Sequence, residues 1–219
     1  MSHPLRIKIC GVTNEADARQ AALLGADAVG LNFYQGSPRC IDAETAQFVL
    51  RELPPFVAAV GVFVDVPLRQ AFLQVQGLGR IGTIQWHGTN RELSDAYPYH
   101  LISAFPVRDA SSLQAIQRYL DTCRSLGKMP SALLLDGHAP GQHGGTGQAA
   151  PWDLLASFRP NVPIILAGGL TPDNVAEAVR IVRPYGVDVA SGVEKTPGHK
   201  DPEKMRRFIA NAREAAARL

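Results

Sequence analysis

A chain of 219 residues, 46% hydrophobic and 19% charged, is long enough to bury a sizeable core and too apolar for disorder as its main state. Twenty-two Lys and Arg against twenty Asp and Glu leave a formal charge of +2, too near balance to point to nucleic acid or a membrane surface, so any anion site must be local. Cys10, Cys40 and Cys123 form no CxxC pair or disulfide framework, the N-terminus lacks the apolar stretch of a signal peptide, and no run approaches the roughly 20 apolar residues of a membrane helix; a cytoplasmic protein is expected.

Short runs rich in Val, Ile and Leu alternate with segments of helical period, the pattern of parallel strands covered on both faces by crossover helices. In chain order, strands are predicted over 5–10, 27–33, 57–64, 80–86, 99–105, 131–136, 163–167 and 186–190. Helices are predicted over 15–24, 43–53, 67–75, 111–126, 172–182 and 202–218, with weaker patterns at 91–96 and 152–158. Thr171-Pro172-Asp173 places a capping hydroxyl ahead of a helix-compatible proline, and Asp201-Pro202 repeats the arrangement at the last helix. Eight strand–helix units in this length predict an α/β fold closed into a (β/α)8 TIM barrel of parallel strands, one domain over residues 1–219, in preference to an open doubly wound sheet.

In such a barrel the C-terminal ends of the strands and the loops after them form the active rim, which sorts the polar residues. Cys10 ends strand one; alone it reads as a small buried residue, but Lys8 shares its strand face and favours a thiolate, a usable base. Asp136 ends the apolar run Ala132-Leu133-Leu134-Leu135, where partial desolvation would hold a proton for general-acid work; a capping role is the alternative. Gly141-Gln142-His143-Gly144-Gly145-Thr146-Gly147 follows, flexible enough to close over a ligand. Gly168-Gly169 after strand seven and Ser191-Gly192 after strand eight occupy the positions where TIM barrels commonly bind phosphate through backbone amides. Arg39, after the Ser37-Pro38 turn, has the planar fork to grip a carboxylate, though in isolation it reads as a solvated arginine. His138 and His143 lack metal-ligand spacing, and no metal is expected.

These residues resemble those of the phosphoribosylanthranilate isomerase family. The likeness runs from Lys8-Ile9-Cys10-Gly11 with Thr13, through Phe33-Tyr34 with Ser37-Pro38-Arg39, Val60-Gly61-Val62-Phe63-Val64, Gln85 with His87-Gly88 and Leu134-Leu135-Asp136. It continues through Gly144-Gly145-Thr146-Gly147 and Leu166-Ala167-Gly168-Gly169-Leu170 to Ser191-Gly192-Val193-Glu194 with Gly198 and Lys200-Asp201. The resemblance implies an Amadori rearrangement of a small phosphosugar–anthranilate substrate in tryptophan biosynthesis, with no cofactor, no nucleic-acid or membrane partner, and a monomer or homodimer. It assigns Asp136 as the acid that opens the furanose and Cys10 as the base at ribose C2. Arg39 would bind the anthranilate carboxylate, and backbone amides around Gly145, Gly168-Gly169 and Ser191-Gly192 the phosphate. Asp173, at the helix start, is a candidate for orienting the substrate amine, with helix capping as the alternative. Trp86, Gly137 and Ala190 depart from the family's usual residues without removing a proposed catalytic group. Another phosphosugar isomerase, or a barrel that binds without catalysis, are the competing readings; a Cys/Asp pair without metal spacing argues against both.

Overall fold

The computed structural model describes residues 4–88, 99–137 and 152–219. Within them the chain runs β1 (Arg6–Cys10), α1 (Glu15–Leu23), β2 (Ala28–Asn32), α2 (Ala43–Arg51), β3 (Ala58–Val64), α3 (Leu68–Val75), β4 (Ile81–His87), β5 (His100–Pro106), α4 (Ala110–Ser125), β6 (Ala132–Asp136), α5 (Trp152–Ser157), β7 (Ile164–Ala167), α6 (Val175–Val182) and β8 (Gly186–Val189). A 3-10 turn (Ser191–Val193), the short hairpin strands β9 (Glu194–Thr196) and β10 (His199–Lys200), and α7 (Pro202–Ala217) complete it. Strands β1 to β8 close into a barrel in sequence order, β8 pairing with β1, and every barrel pair is parallel.

Strand alternation divides the core in two. Ile7 and Ile9, Val29 and Leu31, Ile84 and Trp86, Leu133 and Leu135, Ile164 and Leu166, and Val187 and Val189 all belong to the large apolar layer between barrel and helices. The intervening residues point inward, where Val60, Ile102, Ala104, Ala132, Leu134, Ile165 and Ala167 fill the barrel. The same parity sends Lys8, Cys10, Gln85, His87, Asp136 and Asp188 to the interior. Trp86 faces away from it, and its indole N–H donates to the Val66 carbonyl at 2.8 Å, so this departure from the family's residues lies outside the site.

The predicted strands all appear, each bound within one residue, because runs buried on both faces have no alternative partner for their apolar side chains. The helix expected over 172–182 begins later, at Val175. Thr171 does not cap it: the Thr171 hydroxyl accepts from the Asp173 N–H at 3.3 Å, while the Asn174 side chain accepts from the Thr171 N–H at 2.8 Å and donates to the Gly169 carbonyl at 3.0 Å. Local side-chain bonds thus hold residues 169–174 as a tied loop rather than a first helical turn. At α7 the expectation holds, with Asp201 accepting from the Glu203 and Lys204 N–H groups at 2.9 and 3.1 Å ahead of Pro202. The weak helix at 91–96 lies outside the described residues.

Candidate active site

A cavity of about 350 Å³ opens at the C-terminal ends of the strands. Cys10, Arg39, Asp136, Gly168, Gly169, Ser191 and Gly192 line it, together with His87, Gln85 and Asp188. A second cavity of about 330 Å³ opens at the opposite mouth beside Arg6, Phe56 and Tyr185, and none of the candidate residues lines it. Gly145 and its glycine-rich loop lie outside the described residues, as do His138 and His143.

Cys10 and Asp136 reach the cavity from separate walls, for the same strand geometry delivers both: β7 and β8 lie between their strands on one side of the ring and four strands on the other. Cys10 sits among charges. Lys8 and Asp188 are register partners on β1 and β8, so their side chains share a layer, and the Lys8 ammonium donates to Asp188 Oδ1 at 2.8 Å. Cys10 is in register with Gly30 on β2, where a Cβ would stand 2.8 Å from the Cys10 sulfur and 3.0 Å from Lys8 Nζ. The missing side chain of Gly30 therefore makes the room in which thiol and ammonium meet. Burial pushes the Cys10 thiol up, and the Asp188 charge adds to this, while Lys8 and Lys200 act in the opposite sense; the net direction is upward.

Arg39 is held on several sides. Ser37 accepts from its backbone N–H at 3.1 Å and from Asn32 Nδ2 at 3.2 Å, fixing the turn after β2. The guanidinium grips Glu194 through both Nε and Nη2 at 2.8 and 2.6 Å, a bidentate pair that sets its plane. Glu194 is itself buried, and Lys200, whose side chain has no solvent exposure, donates to its Oε1 at 3.0 Å. The same ammonium donates to the carbonyls of Cys10 at 2.6 Å and Ala190 at 3.2 Å, tying the ends of β1 and β8 to the hairpin. Burial opposes the charge on Glu194, but the bonds from Arg39 and Lys200 outweigh it and hold its carboxyl down at about 2.

The loops after β7 and β8 are in contact. Gly168 and Gly169 adopt φ of 90° and 63°, a left-handed turn open to glycine, and a Cβ on Gly192 would fall inside the Leu170 carbonyl oxygen. Asp173 is not among the residues lining the cavity: its exposed carboxylate accepts from Arg207 at 2.5 Å. Asp188 is the inward acidic group of the site that sequence reasoning from strand ends missed. It lies inside the predicted strand between Val187 and Val189, and the alternation of that strand is the signal that could have found it. Asn174, which ties the loop after β7, carries no sequence signal distinct from a helix cap.

The family model for N-(5'-phosphoribosyl)anthranilate (PRA) isomerase matches residues 7–211. A relative of that name from Citrifermentans bemidjiense is 46% identical over 215 residues, covering 96% of this chain and 98% of the relative. Another, from Acidithiobacillus ferrooxidans, is 45% identical over 211 residues, with 95% and 98% covered. Among solved structures, the phosphoribosyl anthranilate isomerase of Thermotoga maritima superposes with a TM-score of 0.81 at 36% identity, covering 96% of this chain and 99% of that one. A phosphoribosyl anthranilate isomerase in complex with reduced 1-(o-carboxyphenylamino)-1-deoxyribulose 5-phosphate gives 0.76 at 34%, with 96% and 99% covered. With matches of this extent in sequence and in fold, the chain belongs to the N-(5'-phosphoribosyl)anthranilate isomerase family.

Proposed function

We propose that the upper cavity performs the family's reaction in tryptophan biosynthesis, the Amadori rearrangement of N-(5'-phosphoribosyl)anthranilate to 1-(2-carboxyphenylamino)-1-deoxyribulose 5-phosphate, with Asp136 as general acid and Cys10 as general base. The observation that carries it is the convergence of an acid and a thiol from β6 and β1 on one cavity whose remaining walls hold Arg39 and the glycine loops after β7 and β8. Asp136 gives its proton to the ring oxygen as the C1–O bond breaks and the nitrogen lone pair forms the C1=N bond. The Cys10 thiolate then takes the C2 proton; the C–H electrons form C1=C2 and the C=N electrons return to nitrogen, leaving an enolamine. Loss of the C2 hydroxyl proton and protonation at C1 complete the ketone. The protons moved are conserved, and no electron leaves the substrate.

Arg39, oriented by Glu194, binds the anthranilate carboxylate, and the backbone amides of Gly168-Gly169 and Ser191-Gly192 receive the phosphate, completed by Gly145. Asp173 is engaged by Arg207 and does not line the cavity, so the group that orients the substrate amine is Asp188, which does line it. Cys10, Cys40 and Cys123 form no disulfide, which supports a reducing cytoplasm as the working compartment, and among the described residues no helix is long and apolar enough to cross a membrane. The substrate is a small molecule, and the working unit is a monomer or homodimer.

The test follows the fall in anthranilate-type fluorescence of freshly generated phosphoribosylanthranilate in metal-free buffer. Turnover is expected from the unmodified protein, with Cys10→Ala and Asp136→Asn each lower by roughly 100- to 10,000-fold in kcat. Binding of a product analogue without turnover by the unmodified protein would instead identify a barrel that binds but does not catalyse. Gly11→Ala probes the carboxylate site separately. Gly11 has φ of 70°, and its added Cβ would collide with Arg39 Cδ, so the substitution is expected to displace the guanidinium and raise KM by about tenfold or more with a smaller change in kcat. An unchanged KM would remove Arg39 from substrate binding.

A further inference from the structure

Lys8 is a buried charge that the acid–base scheme does not use. It is 4% exposed, and its partner Asp188 is 7% exposed. Aliphatic side chains such as Val60, Ile102, Leu134 and Ile165 fill much of the barrel interior around it. A buried ion pair in such surroundings contributes little net stability, because the desolvation of two ions offsets their attraction, and an apolar pair would serve packing as well. Packing therefore does not account for Lys8. Its position points elsewhere, since Lys8 Nζ and the Cys10 sulfur both approach the empty Cβ position of Gly30, to 3.0 and 2.8 Å.

We infer that Lys8 sets the ionisation of Cys10, its ammonium supplying the counter-charge for the thiolate while Asp188 opposes it, so that the pair fixes the pH at which Cys10 can take a proton. The inference concerns the thiol itself, and its catalytic meaning rests on the proposed reading of Cys10 as the base. Lys8 lines the lower cavity and not the upper one, so it is a positioning residue that acts through Cys10 rather than on substrate. The groups that face Cys10 come from several elements. β1 presents Lys8, and β8 presents Asp188. β10 presents Lys200, which bonds the Cys10 carbonyl, with Glu194 of β9 behind it. The turn after β2 contributes Arg39, and β4 and β6 place His87 and Asp136 on the same cavity. β2 and β7 offer Gly30 and Ala167, which do not titrate. Of these charges, Lys200 and Arg39 are shared with Glu194, whereas Lys8 meets the thiol at the empty Cβ position of Gly30 and Asp188, bonded to Lys8, acts on it with the opposite charge. Burial and Asp188 raise the Cys10 thiol, and Lys8 is foremost among the groups that counter them.

The experiment measures the pH midpoint of Cys10 alkylation by iodoacetamide, read by mass spectrometry of the Cys10 peptide, in a Cys40→Ser background because Cys40 is partly exposed. The expected order of midpoints is Asp188→Asn lowest, then the unmodified protein, then Lys8→Met. Each step is expected to be about one pH unit or more, as for a charge removed at close range. A Lys8→Met midpoint at or below that of the unmodified protein overturns the inference. Lys8→Met leaves Asp188 buried without its cation; if that variant does not fold, the comparison passes to Lys8→Met/Asp188→Asn, which has neither charge. Its midpoint should lie above that of Asp188→Asn, and a midpoint at or below it overturns the inference equally. The pH profile of kcat/KM separates this result from the catalytic reading. If its ascending limb moves with the alkylation midpoint, Lys8 governs the working base. If the midpoints follow the expected order while the limb stays fixed, the inference about Lys8 stands and the assignment of Cys10 as base fails.

Discussion

Alanine at Gly192 is expected to leave a folded barrel that has lost its grip on phosphate. The added Cβ would lie within the Leu170 carbonyl oxygen, 3.0 Å from the Leu170 carbonyl carbon and 3.2 Å from Thr171 Cα, so backbone rather than a flexible side chain is in the way. One of the two loops must move, and both line the cavity. The loop after β7 has little freedom to yield, since Gly168 and Gly169 hold left-handed conformations and Asn174 ties Thr171 and the Gly169 carbonyl together. Overpacking of this kind costs about 1–3 kcal/mol of stability, and a displacement of about 1 Å in a positioned site costs about 100-fold in rate. The expected result is a fall of about 100-fold in kcat/KM, with inorganic phosphate no longer acting as a competitive inhibitor, while circular dichroism shows the barrel retained. Phosphate inhibition equal to that of the unmodified protein would show that the amides after β8 do not hold the anion.

The barrel is legible because its signal is one-dimensional. The run from Ala132 to Leu135 alternates inner and outer apolar residues with no polar interruption, as suits a strand covered on both faces, and eight runs rich in Val, Ile and Leu spaced by helical segments leave few topologies. The rim is legible for the same reason: once the strands are placed, Cys10, Asp136, Gly168-Gly169 and Ser191-Gly192 must share one end. Charges inside the strands are harder to read. Lys8 announces itself beside Cys10, but Asp188 lies within a short strand, ahead of the strand end where the rim residues are sought. The Glu194–Lys200 pair is visible only as part of a motif, because the contact that gives it meaning joins the start of one hairpin strand to the end of the other and reaches across to Arg39. The misplaced helix start at Thr171 has a local cause. Threonine before proline is a fair start signal, but Asn174, three residues on, competes for the Thr171 N–H and delays the helix.

Removal of the Lys200 ammonium should produce a large loss of stability together with a change in how stability depends on acid. Lys200→Met strips two carbonyls, those of Cys10 and Ala190, of a charged donor and takes one of two cations from the buried Glu194 carboxylate. Breaking a buried pair from one side costs about 3–5 kcal/mol, which in a chain of this size corresponds to roughly 6–20 °C in melting temperature. Glu194→Gln addresses the other partner and gives the sign of the pH effect. Glu194 ordinarily titrates near 4.5 and in the fold near 2, so its ionised form adds stability that is fully present above 4.5. That contribution is lost progressively as pH falls from 4.5 through about 2, where the folded protein must also take up the proton. Urea midpoints of the unmodified protein and Glu194→Gln should therefore differ most near neutrality and converge across that acid window. Because Glu194 also sets the plane of Arg39, the same variant should show a raised KM at neutral pH, where the fold is intact. A stability gap that stays constant with pH would mean that the charge on Glu194 is not what holds the hairpin to the barrel, and a KM unchanged beside it would separate Arg39 from the network altogether.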